Sequence, residues 1–540
     1  MAEDLLQFYC QRLETLATER SNFDGQWEEA ATRILPAHRS TFFGNNIQAQ
    51  GQKKTELQYD STAAFAVQRF SSVIESLVSP QGSLWHLLKV VDRTLKRNRQ
   101  VRLFFDALSE SLFNYRYRPI ANFVGNSQQV YLGLGAYGNG VLYVDRPDKQ
   151  KGLRYRNIHL GEAYFVENHA GVVDTVYRKF PLDARQMVQR FGDDCPKEVV
   201  DAAKQGTNNK KYNVLHVVHP REDYVPGDIG ANRMAFVSCY ILIDTKTKLR
   251  EGGYNSFPYA ITRYTQSSGE TYGRGPAQWV LPAIKLLNEE KKTMTKMGHR
   301  ALDPVLLAHD DGNLGSFSMK PGALNPGGVS ADGKRLIQEL PIGNFEIGDK
   351  MMDMEKAIIN DAFLISLFQI LIDTPQMTAT EVLERAREKG MLLAPTAGRI
   401  ESEFLGPLIE REIDLLSQQG LLPPMPPILR QAQAEYRIEY DSPMSRMKRA
   451  EKASGFMRAL DTAANYARLT GDPTPLDHFD FDVAMPEILD IHGAPTSWTR
   501  SLEGVAALRE QRSKAAQIQQ ITDIAPALAS ITKQIPQQTQ

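Results

Sequence analysis

The stretch YGRGPAQWVLPAIKLLNEEKKTMTKMGHR, residues 272–300, opens on a Gly-Arg-Gly-Pro turn and runs directly into a long amphipathic helical pattern. A second long pattern, MMDMEKAIINDAFLISLFQILI (351–372), follows an insert rich in Gly and Pro. Two rods joined by an irregular excursion restrict the fold sharply, because each rod needs its apolar stripe covered. In the first, Val280, Ile284, Leu287, Met294 and Met297 form that stripe. Lys285, Glu289, Lys292, Lys296 and Arg300 recur on the opposite face at steps of three and four residues. In the second, Met351, Met354, Ile358, Ile365, Phe368 and Ile372 repeat at helical spacing, and the last part is apolar almost all round, which predicts enclosure by other protein. IDTPQM (372–377) then forms a loop, and Thr378 to Glu381 reads as a capping box restarting a helix that ends at Gly390. A rod of roughly 23 residues is about 35 Å long. Taken alone, the charged row is the solvated side of an amphipathic helix.

Around the rods the hydrophobic period changes twice. The first 120 residues read as four helices: one carrying Leu6, Tyr9, Leu13 and Leu16; a second capped by Asn22 or Asp24 and stopped at Pro36; a third with Val67, Phe70, Ile74 and Leu77, stopped at Ser79-Pro80; and a fourth from Thr94 to Tyr117. From Val141 onward, VLYVDRP, EAYFVENHAGVVDTVYRKF, YNVLHVVHP and MAFVSCYILIDTKTKLREGG cluster β-branched and aromatic residues as strands do, with LDARQMVQRFG a helix among them. GLLPPMPP (420–427) is a stiff linker, AEYRIEY a short strand, and the region from Pro443 onward helical, ending in a loosely ordered tail. The fold class is therefore α+β, mainly helical.

Composition excludes some functions. Sixty-three Lys and Arg against sixty-four Asp and Glu leave a formal net charge of −1, whereas a protein that grips nucleic acid through many phosphates shows a basic excess. Any contact with DNA should be local or loose. Cys10, Cys195 and Cys239 are far apart and form no CxxC, which argues against a disulfide framework or thiolate zinc site and fits synthesis inside the cell. The acidic start MAEDLLQFYC is not a secretory signal, and AFLISLFQILI is too short to span a bilayer.

The motifs that imitate chemistry fail on context. GLGAYG (133–138) matches GxGxxG but lies after a helix and before a strand, the reverse of a dinucleotide site, and reads as a flexible helix-to-strand turn. GVSADGKR (328–335) ends in Arg335 where a phosphate loop needs a hydroxyl, and reads as an irregular loop. His216 and His219, three apart in a strand, point to opposite faces and are structural. Asp477, His478, Asp480 and Asp482 suit a helix N-terminus better than a calcium loop. No catalytic, metal or cofactor residue is expected.

YNSFPYAITRYTQSSGETYGRGPAQWVLPAIKLLNE (254–289) closely resembles the central signature of the portal, or head-to-tail connector, proteins of short-tailed (podovirus-type) tailed bacteriophages. QYDSTAAFAVQRFSSVIESLVSPQGSLW (58–85) resembles that family's N-terminal block, and WEEAATRILP, VVDTVYRKFPLDARQMVQRFG, YDSPMSRMKRAE and VAALREQR agree in kind and order. The resemblance covers all but the extreme C-terminus. It implies a phage portal fold assembled as a closed ring, typically a dodecamer, around a channel for double-stranded DNA. On it, residues 1–275 are the wing, 276–300 stem helix 1, 301–345 the clip, 346–372 stem helix 2 and 373–378 the channel loop. The wing return is 379–440, the helical crown 441–525 and the flexible tail 526–540.

The implied role is structural rather than enzymatic and needs no cofactor. The ring would dock the terminase large subunit and then the tail adaptor protein, and contact capsid and scaffolding proteins. It would be assembled in the bacterial host cytoplasm and kept in the virion, with no membrane contact. Candidate channel residues are Lys285, Lys292, Lys296 and Arg300 on the rod and Asp373, Thr374, Pro375, Gln376 and Met377 in the loop. The basic row has two open placements, the channel wall or the boundary with a neighbouring subunit or exterior. The competing readings are a nucleotide-dependent DNA-packaging enzyme and a tail or adaptor subunit.

Overall fold

The computed structural model describes residues 2–35, 42, 58–96, 98–147, 150–205, 210–225, 234–308, 317–341, 343–365, 395–432, 435–440, 443–472, 474–491, 500 and 504–515. The chain divides into two compact units, one of Met1–Gly82 with Asn114–Leu421 and one of Ser83–Phe113 with Leu422–Gln540.

In the first unit, helix α1 (Ala2–Ile34) is continuous, where the sequence suggested a break at Asn22 or Asp24. Asp24 is not a cap. Its carboxylate meets Arg20 of the preceding turn at 2.9 Å, and the guanidinium donates to the carbonyls of Leu160 and Ala163 at 3.0 and 2.7 Å. A residue that favours helix starts is held mid-helix by this buried partner. Helix α2 (Thr62–Val78) stops at Ser79 before Pro80, as expected.

Helix α3 (Phe123–Tyr137) contains most of GLGAYG, so that motif is a helix end and not a flexible turn. Gly135 lies against Phe70 and Val67, leaving no room for a side chain between α3 and α2. Strand β1 (Asn139–Asp145) is the centre of a three-stranded antiparallel sheet with β2 (Arg154–Asn157) and a later strand, Tyr259–Arg263.

A five-stranded antiparallel meander follows: β3 (Ala163–Glu167), β4 (Val173–Asp183), β5 (Lys211–Pro220), β6 (Phe236–Leu242) and β7 (Thr247–Tyr254). Helices α4 (Ala184–Phe191) and α5 (Lys197–Gln205) sit between β4 and β5 in sequence, and Asp183 closes a capping box with Gln186 at the start of α4. Alternation divides the sheet's side chains. Tyr212, Val214, Tyr240 and Leu242 pack with Met187 and Phe191 on one face, while Leu215, Val217 and Ile241 pack with Tyr9, Leu13 and Leu16 of α1 on the other. The two histidines follow this division. His219 bonds Tyr9 (2.8 Å), and His216 lies buried, bonded to Tyr259 and Ser238 and stacked on Tyr240 at 4.0 Å between centroids.

Burial, reinforced by Arg190 and Arg178, holds the His216 pKa well below 6.5. The folded chain thus binds fewer protons than the unfolded chain below about pH 6.5, so stability is full above that point and falls as pH drops through it, by about 1.4 kcal/mol per pH unit. Denaturant unfolding between pH 7 and pH 5 should show this slope, and His216→Asn should flatten it by one proton. An unchanged slope would remove His216 from the acid response.

Helix α6 (Leu281–Leu302) begins later than the expected 276, after a short helical turn Pro276–Trp279 and a break at Val280. Pro282 brings no N–H to the first turn, so the chain re-enters the helix there. Helix α7 (Phe345–Ala362) starts at Asn344, whose Oδ1 accepts from the Glu346 N–H at 2.9 Å, and stops at Ala362, with Leu364 in the left-handed region (φ 61°). This corrects the continuous helix to Ile372; residues 366–394, with the loop and capping box expected there, lie outside the described residues. The stripe is corrected in part. Ile365 is buried as expected, but Met351, Met354 and Ile358 are exposed, and Met352, Ile359 and Phe363 are buried in their place. Helix α8 (Gly406–Gln418) continues a helical run from 395 through a wider π turn at Glu401–Leu405 just ahead of Pro407.

In the second unit, strand His86–Val90 pairs antiparallel with Tyr436–Tyr440. The sequence placed only helices in this early region. The helix expected from Thr94 to Tyr117 is two, Arg93–Lys96 and Arg99–Arg116, because Asn98 caps the second through the Gln100 N–H at 2.9 Å. Val101, Phe105, Leu108 and Leu112 are its buried face. Helices Pro443–Thr470, Phe481–Ile491 and 504–515 bear out the helical C-terminal region, with Asp480 accepting from the Val483 N–H at 3.2 Å. The expected tail, 526–540, lies outside the described residues.

Candidate functional site: the two-helix rod and its junction

The Gly-Arg-Gly-Pro turn is a crossing of two backbones. Gly138 caps α3 in the left-handed region (φ 75°), and a Cβ there would stand 2.4 Å from the Gly275 nitrogen. A Cβ on Gly273 would stand 2.7 Å from the Gly138 oxygen, and one on Gly275 2.7 Å from the Gly138 nitrogen. Asn139 locks the crossing from both sides: its Nδ2 donates to the Gly273 carbonyl (2.9 Å) and its Oδ1 accepts from the Gly273 N–H (2.8 Å). The chain entering the turn is held by Arg263, on the strand Tyr259–Arg263 (β8). It donates to both carboxylate oxygens of Glu403 (3.1 and 3.0 Å), to Glu167 and to the Thr271 carbonyl. Arg274 itself forms a two-point pair with Glu270. These contacts set the rod rigidly on the sheet.

Beyond the junction, α6 and α7 pack antiparallel. Gly348 lets Met294 approach so closely that a Cβ would lie 2.4 Å from its sulfur, and a Cβ on Gly343 would lie 2.9 Å from the Met297 methyl carbon. Asn288 fastens α6 to the start of α2: its Oδ1 accepts from the N–H groups of Tyr59 and Asp60 (2.7 and 3.1 Å). Glu290 is the discordant residue. Both of its oxygens are buried without a hydrogen-bond partner among the described residues, and burial first, then Glu355 of α7, raise its pKa.

Among the described residues the basic row separates into engaged and free members. Lys285 pairs with Glu29 of α1 at 2.5 Å. Lys292 lies 3.7 Å from Glu289 and over the Tyr59 ring. Lys296 and Arg300, near the far end of α6, are exposed. Asp373, Thr374, Pro375, Gln376 and Met377 lie outside the described residues.

The insert between the helices begins and ends as a small antiparallel pair, Leu306–Ala308 with Ile337–Glu339. GVSADGKR is a tight hairpin within it: Val329 bridges Arg335, and the Ser330 N–H donates to the Lys334 carbonyl at 2.8 Å. With no helix behind that turn, its amides do not converge as a phosphate loop requires. Among the described residues no cluster of three potential metal ligands occurs, and no helix is long and apolar enough to cross a membrane.

The sequence profile of a family described as "Bacteriophage head to tail connecting protein" matches residues 7–499. The chain belongs to that family of bacteriophage head-to-tail connecting proteins. Within it the similarity is to portal proteins. The chain is 26% identical over 545 residues to the portal protein of Salmonella phage epsilon15, covering 99% of this chain and 96% of that protein. It is 26% identical over 535 residues to a probable portal protein of Bordetella phage BPP-1, covering 96% and 94%. A chain of the virion of a native gene transfer agent particle overlays with a TM-score of 0.33 at 10% identity, covering 79% of this chain and 94% of that one. The role is structural, that of a portal at the capsid vertex.

Proposed function

We propose that copies of this chain close into a ring, typically of twelve, whose α6/α7 rods stand around a channel for double-stranded DNA. The observation that carries the reading is the rod: two antiparallel helices seated on a rigid crossing at one end and joined by an insert at the other. Helix α6 is 22 residues long, about 33 Å, which suits a channel wall. Near-neutral charge suits a conduit, because dense basic surface would hold phosphates and slow sliding. On this reading the insert is the clip that meets the terminase large subunit and then the tail adaptor, the sheets form the wing, and the helical C-terminal region is the crown. Residues 373–377 are candidate channel residues on this reading. Capsid and scaffolding proteins contact the outside of a particle assembled in the host cytoplasm and kept in the virion.

Light scattering of the purified chain under assembly conditions should give about 730 kDa, twelve copies of 60.6 kDa, and end-on electron micrographs should show an axial hole. A stable monomer, or a particle with no opening, would overturn the proposal.

A further inference from the structure

Strand β1 outruns its neighbour β2, and a pocket of about 260 Å³ opens beside the overhang. The Ile158 N–H bonds the Val141 carbonyl at 2.9 Å, and beyond it Asn139 and Gly140 have no strand on that side among the described residues. The C-terminal half of α3, the helix that carries GLGAYG, forms one wall through Gln129 and Tyr137. Strand β2 and the turn after it form the other through Arg156, Asn157 and His159. The walls are tied before anything enters, which lowers the cost of binding. Asn157 donates from its N–H to Asn126 Oδ1 at 2.7 Å and from Nδ2 to Gln129 Oε1 at 3.1 Å. His159 Nδ1 accepts from the Gly161 N–H at 3.1 Å, and Phe42 packs 5.1 Å from the rings of both Tyr137 and His159.

Charge and shape decide what fits. Arg156 and Glu162 are the charged residues lining the pocket. Glu162 is engaged by Arg178 at 3.1 Å, whereas Arg156 makes no hydrogen bond or ion pair among the described residues. Arg156 reaches solvent, yet protein atoms crowd around it. That desolvation first, then the charges of Arg178, Arg190 and Arg154, lowers its pKa against the pull of Glu162. A guanidinium set among other cations is stabilised by an anion, and its planar fork suits two oxygens side by side. Room for a second anionic group is lacking, because the far end of the pocket is the C-terminus of α3, with its partial negative charge. Tyr137 and His159 stand at that end, their rings 6.2 Å apart between centroids and crossed at 73°. An apolar cavity of about 150 Å³ accepts benzene, so the space suffices for one ring with one anionic substituent.

We propose that this pocket binds a small aromatic anion, with one carboxylate or phosphate group on the Arg156 guanidinium and a single ring against Tyr137 and His159. The inference concerns each chain by itself and holds whether or not copies close into a ring.

The test is calorimetric titration of the purified full chain with benzoate, with phenyl phosphate and with benzamide, the neutral counterpart of benzoate. At least one of the two anions should saturate at one per chain with a Kd on the order of 1 mM or below, the tighter of them naming the head group. Benzamide should bind at least about tenfold more weakly than that anion. Arg156→Gln should weaken the better anion by about tenfold or more and leave benzamide unchanged, with the same circular dichroism, since this side chain is exposed. Arg154→Gln, on the same strand but outside the pocket, should cost no more than roughly threefold. The inference is overturned if neither anion saturates, if benzamide binds as well as the anions, or if the two arginine variants lose affinity equally.

Discussion

Gly138→Ala is expected to abolish stable folding of the first unit, with a loss on the order of 4–5 kcal/mol or more. Two effects add. The left-handed backbone at φ 75° disfavours any side chain by about 1–2 kcal/mol. The new methyl would also lie 2.4 Å from the Gly275 nitrogen and 2.5 Å from the Arg274 carbonyl carbon, and backbone cannot rotate away as a side chain can. Relief requires parting α3 from the chain that leads into α6, which breaks the two Asn139 bonds to Gly273. Gly171→Ala is the control. It has nearly the same φ, 76°, and open space around it, so only the conformational cost remains. Denaturant midpoints should therefore separate the two variants widely. Equal midpoints would mean the crossing is not tightly packed.

The second large effect concerns a salt bridge with no exposed atoms in either side chain. Arg116 donates to both oxygens of Glu412, through Nε at 2.8 Å and a terminal nitrogen at 2.5 Å, and the Tyr155 hydroxyl donates to Glu412 at 2.6 Å. Burial alone would lower the Arg116 pKa; the charge and hydrogen bonds of Glu412 reverse that and hold it above its ordinary value. Glu412→Ala strands a guanidinium in the core and is expected to cost about 3–5 kcal/mol. Removing both charges together, Arg116→Met with Glu412→Leu, should recover most of that loss, because two apolar side chains of similar size need no partner. A single Glu412→Ala variant that melts within a degree or two of the original chain would show that the guanidinium finds another acceptor.

The elements that sequence reasoning placed correctly are those whose signal is local. The period-two runs became β3 to β7, LDARQMVQRFG became α4, and Ser79-Pro80 ended α2. Family membership was legible because several ordered motifs fall within the matched residues 7–499. The misses have long-range causes. His86–Val90 is too short to show a period, and its pairing partner lies at Tyr436–Tyr440. Arg116 and Glu412 are 296 residues apart, and neither neighbourhood hints at the other. On α7 two adjacent rows are apolar, and the sequence cannot say which one the protomer covers; the packing selects Met352 and Ile359. The junction did leave a trace, since two glycine-rich segments frame Asn139 and Pro276, but only coordinates bring them together.

The small strand pair at the root of the insert has an evolutionary corollary. Residues Leu306 and Glu339 face each other across the pair, so the polypeptide leaves the rod and returns to it at nearly one point. Whatever lies past that gate is a closed detour, free to grow, shrink or be exchanged without changing the spacing of the helices behind it. A lineage can thus refit this end while its pair of rods is inherited intact.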